Sequence, residues 1–282
     1  MEYGYYPGCS LLGTAQEYDE SIRQVFRDLG LKLIELPDWN CCGASSGHVT
    51  DNELAIGLAA RNLAIADESG RPLVVPCAAC FNRLKFAEKT LLERPHPIIG
   101  RAYSGKARIL HVNDVLAEPP VLAAIRAKRK RALSDLAVVP YYGCLTVRPP
   151  KVTGNPEHED PKGMDKVLEA LGVDLKPWSY KTDCCGGSLA ITRPDVVRRL
   201  SGRLFDAAIE AGAEAVVTDC PLCQSNLDTR QGEIARETGK TLGLPVFYIT
   251  ELISLSLQSA GVGSYWRRHF VDPQPLLARI GW

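Results

Sequence analysis

Short apolar runs alternate with amphipathic stretches along this chain. Tyr3–Tyr6 reads as a strand, and Ala15–Leu29 follows as a helix ended by Gly30, a plausible C-cap. Leu31–Leu36 is a second strand. The next helix starts after Thr50, where Glu53 three residues on makes a capping box; Thr192, Pro194 and Asp195 occupy the matching place further along. Leu73–Val75 is a third strand, followed by a helix from about Phe81, and Ile109–Val112 is a fourth. Strands alternating with helices predict an α/β fold with parallel, doubly wound, Rossmann-like sheets.

The pattern then repeats. Ten cysteines fall into two sets, C-x31-CC-x34-C-x2-C (Cys9, Cys41, Cys42, Cys77, Cys80) and C-x39-CC-x34-C-x2-C (Cys144, Cys184, Cys185, Cys220, Cys223). Only the first gap differs. Tyr5-Tyr6-Pro7-Gly8-Cys9 answers Pro140-Tyr141-Tyr142-Gly143-Cys144, and Asn40-Cys41-Cys42-Gly43 answers Asp183-Cys184-Cys185-Gly186. A duplication predicts two similar domains related by an approximate twofold, residues 1–120 and 137–282. Pro119-Pro120 and the basic stretch Ile125–Arg131 fall at the seam, with a linker helix over 121–136. That stretch reads as a solvated helix face, or as a docking patch for an acidic partner.

Composition narrows the chemistry. The 282 residues carry zero net charge, so there is no electrostatic footprint for nucleic acid or an anionic membrane. No apolar run reaches a transmembrane length, and the first residues do not resemble a signal peptide, so the cytoplasm is the expected compartment. Ten cysteines are too few for a disulfide scaffold and too clustered for casual core use; in a reducing compartment they read as metal ligands or catalytic groups. There is no G-x-G-x-x-G or P-loop, so no dinucleotide or ATP site of the familiar kinds is expected.

In a parallel sheet, Cys9, the Cys41–Cys42 pair and Cys77 would all follow strands at one edge, where ligands bind. The CxxC opens a helix whose free N–H groups favour thiolate. Vicinal cysteines have Cα atoms about 3.8 Å apart, too close for an unstrained disulfide. In a turn both can face one multi-metal body, and Gly43 and Gly186 permit that turn. Structural zinc prefers four ligands in paired knuckles, a poor match to five cysteines with one CxxC, although zinc in one site stays an alternative. The common ferredoxin run is absent, so any iron–sulfur clusters would be unusual ones.

These motifs resemble the B-type component of heterodisulfide reductase, a family with paired cysteine-rich CCG domains, over nearly the whole chain. Tyr5–Leu11 and Asp38–Ser46 are similar to its bacterial and archaeal members. The resemblance implies two non-cubane [4Fe-4S] clusters, one per five-cysteine set. It implies a catalytic component that cleaves or forms a disulfide or persulfide between them, with a small disulfide or carrier-bound sulfur as substrate. Electrons would come from a ferredoxin-like iron–sulfur C subunit and a flavin-containing A subunit; one plausible use is cytoplasmic sulfur oxidation. Relatives that serve as electron-transfer or anchoring subunits of succinate or fumarate reductases imply the alternative, a chain with no thiol substrate.

Other residues are weaker candidates. Cys42 and Cys185 are the expected catalytic positions, and His48, soon after Cys42, could protonate a departing thiolate. His111, at a strand end, is a lesser candidate for function. His96, His158 and His269 read as surface residues. Trp39 and Trp178 precede the CC pairs, as core packing or a cavity wall. Lys181 and Arg148 could attract an anionic substrate. The segment Tyr265–Phe270 is expected to pack on a partner protein.

Overall fold

The computed structural model describes residues 1–44, 47–94, 99–100 and 103–282. Two four-stranded parallel sheets form, as the alternation predicts. β1 (Glu2–Tyr5), β2 (Lys32–Glu35), β3 (Leu73–Val75) and β4 (Ile109–His111) take the order β2-β1-β3-β4. β5 (Ala137–Tyr141), β6 (Asp174–Leu175), β7 (Ala215–Thr218) and β8 (Val246–Tyr248) take the order β6-β5-β7-β8. The inner strands β3, β5 and β7 are buried throughout, as two-sided parallel strands must be, whereas edge strand β2 is half wet.

Pro140 sits inside β5, where a missing N–H would normally break a ladder. It is tolerated because β6 has already ended: β6 pairs only with Ala137 and Val138. The Pro140 carbonyl is taken by the Trp178 indole N–H at 2.8 Å. Trp178 therefore completes the sheet edge beyond β6.

The two halves share one core. Tyr3, Ile22, Val25 and Phe26 belong to the same buried cluster as Val138, Val217, Leu252 and Ile253. Helix Gln16–Asp28 of the first half packs on helix Ile249–Leu257 of the second, and helix Gly163–Leu171 packs back on Val112–Leu116. At the first contact Tyr18 stacks on Tyr248 with centroids 4.0 Å apart, and Ser21 meets Thr250 through their hydroxyls at 2.7 Å. The contacts are reciprocal, as an approximate twofold demands.

Several local expectations shift. Thr50 ends a short helix, Gly47–Thr50; the cap of helix Asn52–Ser69 is Asp51, whose carboxylate accepts from the Leu54 N–H at 3.0 Å. Helix Pro194–Glu210 starts on its proline with Arg193, not Thr192, at the cap. The helix expected from Phe81 begins at Ala78, so the CxxC is its first turn. The basic stretch lies on and after helix Pro119–Lys128, and three of its five cations bond backbone carbonyls elsewhere in the chain. Lys128 bonds the Asp28 carbonyl, Arg129 bonds that of Ala170 at 2.9 Å, and Arg131 bonds those of Ile280 and Gly281. Each carbonyl lies at a helix C-terminus, where cations are favoured.

Candidate metal centre

All ten cysteines are free thiols, and all sit on loops or helix starts that follow the C-terminal ends of strands. Cys9 follows β1, the Cys41–Cys42 pair follows β2, and Cys77 N-caps helix Ala78–Glu93 after β3. Cys144, the Cys184–Cys185 pair and Cys220, which N-caps helix Pro221–Thr238, repeat this on the second sheet. β1 and β3, like β5 and β7, flank the point where strand order reverses, the usual ligand crevice of such sheets.

Within each half a buried trio carries the inner wall. Cys42, Cys77 and Cys80 are buried, with Cys42 and Cys80 sulfurs 3.2 Å apart; Cys185, Cys220 and Cys223 are buried, with Cys185 and Cys223 sulfurs 3.7 Å apart. Cys9, Cys41 and Cys184 are exposed on the rim, and Cys144 is half-buried. The vicinal pairs turn as Gly43 and Gly186 allow: their φ values are +74° and +82°, and their N–H groups donate to Cys41 Sγ at 3.4 Å and Cys184 Sγ at 3.3 Å. The two sets also adjoin: Ala78, beside Cys77, lies in one buried cluster with Cys185, Cys220 and Cys223, and helix Ala78–Glu93 packs on helix Pro221–Thr238.

Crowding splits the thiols into donors and acceptors. Bonds from Cys41 and Cys80 push Cys42 down to about 4. A bond from Cys223 lowers Cys185, and one from Cys144 pushes Cys184 down to about 6. The donors Cys41, Cys80, Cys144 and Cys223 move up, since each proton is held by a neighbouring thiolate. Preformed thiolates are the soft donors that iron–sulfur centres use. Gly8 and Gly143, with φ of +70° and +71°, keep the backbone close: a Cβ on either would lie 3.1 Å from Cys80 Sγ or Cys223 Sγ. Among the described residues no three or more His, Cys, Asp or Glu side chains are arranged around one point as ligands of a single metal ion. Five thiols in each half, one pair of them at 3.2 or 3.7 Å, are a donor set whose chemistry fits a polynuclear sulfur-bridged centre.

Each half walls the other's site. Helix Ala78–Glu93 packs on the Cys144–Thr146 turn, and its Asn82 amide donates to the Leu145 and Arg148 carbonyls at 3.2 and 3.0 Å. Helix Gly8–Leu12 packs reciprocally on helix Pro221–Thr238.

The secondary candidates divide. His48 is exposed on helix Gly47–Thr50. His111 is buried between the halves: Nε2 meets the Pro76 carbonyl at 2.9 Å, Nδ1 lies 3.5 Å from Asp219, and burial lowers its pKa. Trp39 packs edge-on against Tyr6, as Trp178 does against Tyr141. Lys181 does not await an anion: it is buried and paired with Asp165 at 2.5 Å and Asp160 at 2.8 Å. Arg148 pairs with Glu159 at 2.9 Å. His158 is partly exposed beside it. The His269 side chain is buried rather than superficial, 3.0 Å from Glu251. Tyr265 and Trp266 pack into the chain's own core, with Trp266 edge-on to Phe247, while Arg267, Arg268 and Phe270 stay exposed. His96 lies outside the described residues.

Sequence reading missed Tyr6 and Tyr141. Both are fully buried, and each lies beside four cysteines of its own half, an environment that, with burial, raises its pKa. Each hydroxyl donates to the carbonyl before the vicinal pair, Asn40 at 2.8 Å and Asp183 at 2.5 Å. The signal was present: both stand three residues before the first cysteine of their set.

The model of the CCG cysteine-rich domain matches residues 3–85 and again 138–228, covering both cysteine sets. The chain belongs to the CCG cysteine-rich domain family. This CCG protein is 29% identical over 263 residues to the 8-methylmenaquinol:fumarate reductase membrane anchor subunit of Wolinella succinogenes, covering 91% of this chain and 92% of that one. It is 28% identical over 272 residues to a protein of Archaeoglobus profundus described as like the B-type component of heterodisulfide reductase, covering 91% of each. A crystal structure of a hypothetical protein from Helicobacter pylori shares the fold, with a TM-score of 0.76 at 11% identity; the likeness covers 96% of this chain and 52% of that one. Among the described residues of this CCG protein no helix is long and apolar enough to cross a membrane. Family and donor set together support iron–sulfur chemistry in a reductase-type complex.

Proposed function

We propose that this chain is the B-type iron–sulfur component of a heterodisulfide-reductase-like complex. Each five-thiol set holds one non-cubane [4Fe-4S] cluster: Cys9, Cys41, Cys42, Cys77 and Cys80 one, and Cys144, Cys184, Cys185, Cys220 and Cys223 the other. Such centres supply single electrons for cleaving or forming a disulfide or persulfide bond. The observation that carries the reading is that the two sets adjoin, Ala78 beside Cys77 lying in one buried cluster with Cys220 and Cys223, which supports two redox sites at one shared crevice. Cys42 and Cys185, both buried and both with a lowered pKa, anchor the chemistry, and His48 supplies a proton to a departing thiolate. The exposed Cys9, Cys41 and Cys184 mark the open side through which a small disulfide or carrier-bound sulfur arrives. A ferredoxin-like C subunit and a flavin-bearing A subunit complete the complex, in the cytoplasm.

The Wolinella likeness favours a second reading, an electron-transfer or anchoring subunit without a thiol substrate. Anaerobic metal analysis and paramagnetic spectroscopy, with and without candidate disulfides, separate the two. The first reading expects about eight irons, four per cluster, and a signal that disulfides perturb. It also expects Cys42→Ala and Cys185→Ala each to abolish disulfide turnover. An iron-loaded protein whose spectrum ignores every thiol and disulfide supports the second reading. Stoichiometric zinc in both sites sinks both.

A further inference from the structure

The one unequal spacing in the duplication has a structural product. Cys144 and Cys184 are separated by 39 residues, Cys9 and Cys41 by 31. The longer second-half segment and the first cysteine of its set together border an open cleft of about 420 Å³. Cys144 forms part of the wall, Leu145, Pro149 and Pro150 give it apolar sides, and Arg148 and His158 border it. The wall is preformed, since Asn82 of the first half holds the Leu145 and Arg148 carbonyls.

The polar groups of this cleft are incompletely used. Arg148 Nε and His158 Nδ1 are shielded from water and lack any hydrogen-bond partner. An arginine Nε can only donate, so what it lacks is an acceptor. Leaving such a group unpaired is costly, and both side chains, 38% and 34% exposed, have room to turn toward a ligand. The carboxylate nearest to them, Glu159, is itself 72% exposed and holds Arg148 by a surface ion pair, a weak competitor.

We propose that this cleft binds the arm of the sulfur substrate, and that the arm is an alkyl chain ending in a carboxylate, received by Arg148. The apolar walls take the methylenes, and the sulfur end lies toward Cys144. The inference rests on the disulfide reading above and deepens it: the two sites are unequal, with the second built to hold the acidic arm.

The test is calorimetry on the anaerobically purified protein with 4,4′-dithiodibutyrate, a disulfide with two carboxylate-ended propyl arms, and with its dimethyl ester. The diacid is expected to bind, and the ester at least about tenfold more weakly, the usual worth of a charge-assisted bond. Arg148→Met should weaken the diacid by a similar factor and leave the ester unchanged. Glu159→Gln, at an exposed position that does not threaten folding, should tighten the diacid severalfold by freeing the guanidinium. Equal binding of diacid and ester, no binding of the diacid, or no gain with Glu159→Gln overturns the proposal. Metal content is measured on the same samples: protein that binds the diacid in this pattern but contains no iron keeps the cleft and discards the cluster chemistry.

Discussion

The two halves use the same device for their inner walls and different devices for their rims. Inside, the match is close: a buried trio of thiols, a glycine-turned vicinal pair, a tyrosine tying that pair's loop, and a CxxC that starts a helix. Outside, the second half has a longer first gap, a buried Lys181–Asp165 pair and a C-terminal tail clasp, none of which the first half repeats among the described residues. Duplication has preserved what surrounds the sulfurs and varied what approaches them. The inner geometry is constrained by distances between sulfurs, while a rim loop tolerates insertion at little entropic cost.

Breaking the matched part should have the largest effect, and an equal one on both sides. Gly8→Ala and Gly143→Ala each force a Cβ toward a site sulfur at a left-handed position. Each is expected to remove the metal of its own half, lowering iron content by about half in elemental analysis. Loss from both halves with either variant would show one cooperative site in place of two.

The next effect is confined to the second half. Lys181→Met leaves Asp165 buried with only the Tyr142 hydroxyl and its backbone surroundings. Urea unfolding should show a loss of about 3 kcal/mol, because removing one partner strands the other charge. A loss under about 1 kcal/mol would mean that water reaches Asp165.

The tail clasp gives a smaller, pH-dependent term. Burial opposes a charge on His269, but Glu251, with Asp228 and Glu17, overrides it and pushes the imidazole up to about 9. Glu17 itself is raised to about 7, chiefly by burial. Both groups hold protons more tightly when folded, so their contributions are complete at low pH and lost as pH rises. The Glu17 contribution disappears between about pH 4.5 and 7, and that of His269 between about 6.5 and 9. Stability should fall across pH 6.5–9 by on the order of 2 kcal/mol, and His269→Gln should flatten that slope. An unchanged slope in the variant would remove the clasp from the account.

The smallest effect tests the symmetry most finely. Tyr6→Phe and Tyr141→Phe each delete one hydrogen bond to the loop carrying a vicinal pair. Each should cost about 1 kcal/mol and shift the paramagnetic signal of its own half. Unequal losses would show that the two loops are not held alike.

The strand positions of the first half, the parallel sheets and the placing of the cysteines after strand ends were legible in the chain. They follow from alternation of elements and from a repeated spacing, which are local or periodic properties. The fates of Lys181, His269 and the Tyr265–Phe270 segment were not, because a charge or ring written in sequence does not say which remote partner it meets. Lys181 finds Asp165, His269 finds Glu251 and Trp266 finds Phe247 only after folding. Capping was missed by a single position at Asp51, where backbone geometry selects among adjacent polar residues.

The amino-acid order alone determined that ten sulfurs form two equivalent groups, since covalent spacing and the twofold repeat are written directly in it. The folded chain decided that the two groups adjoin across the halves, that each tyrosine three residues upstream ties down a vicinal pair, and that the extra residues after Cys144 border a cleft. Those are contacts between elements far apart along the backbone, fixed by how one core closes around both sheets.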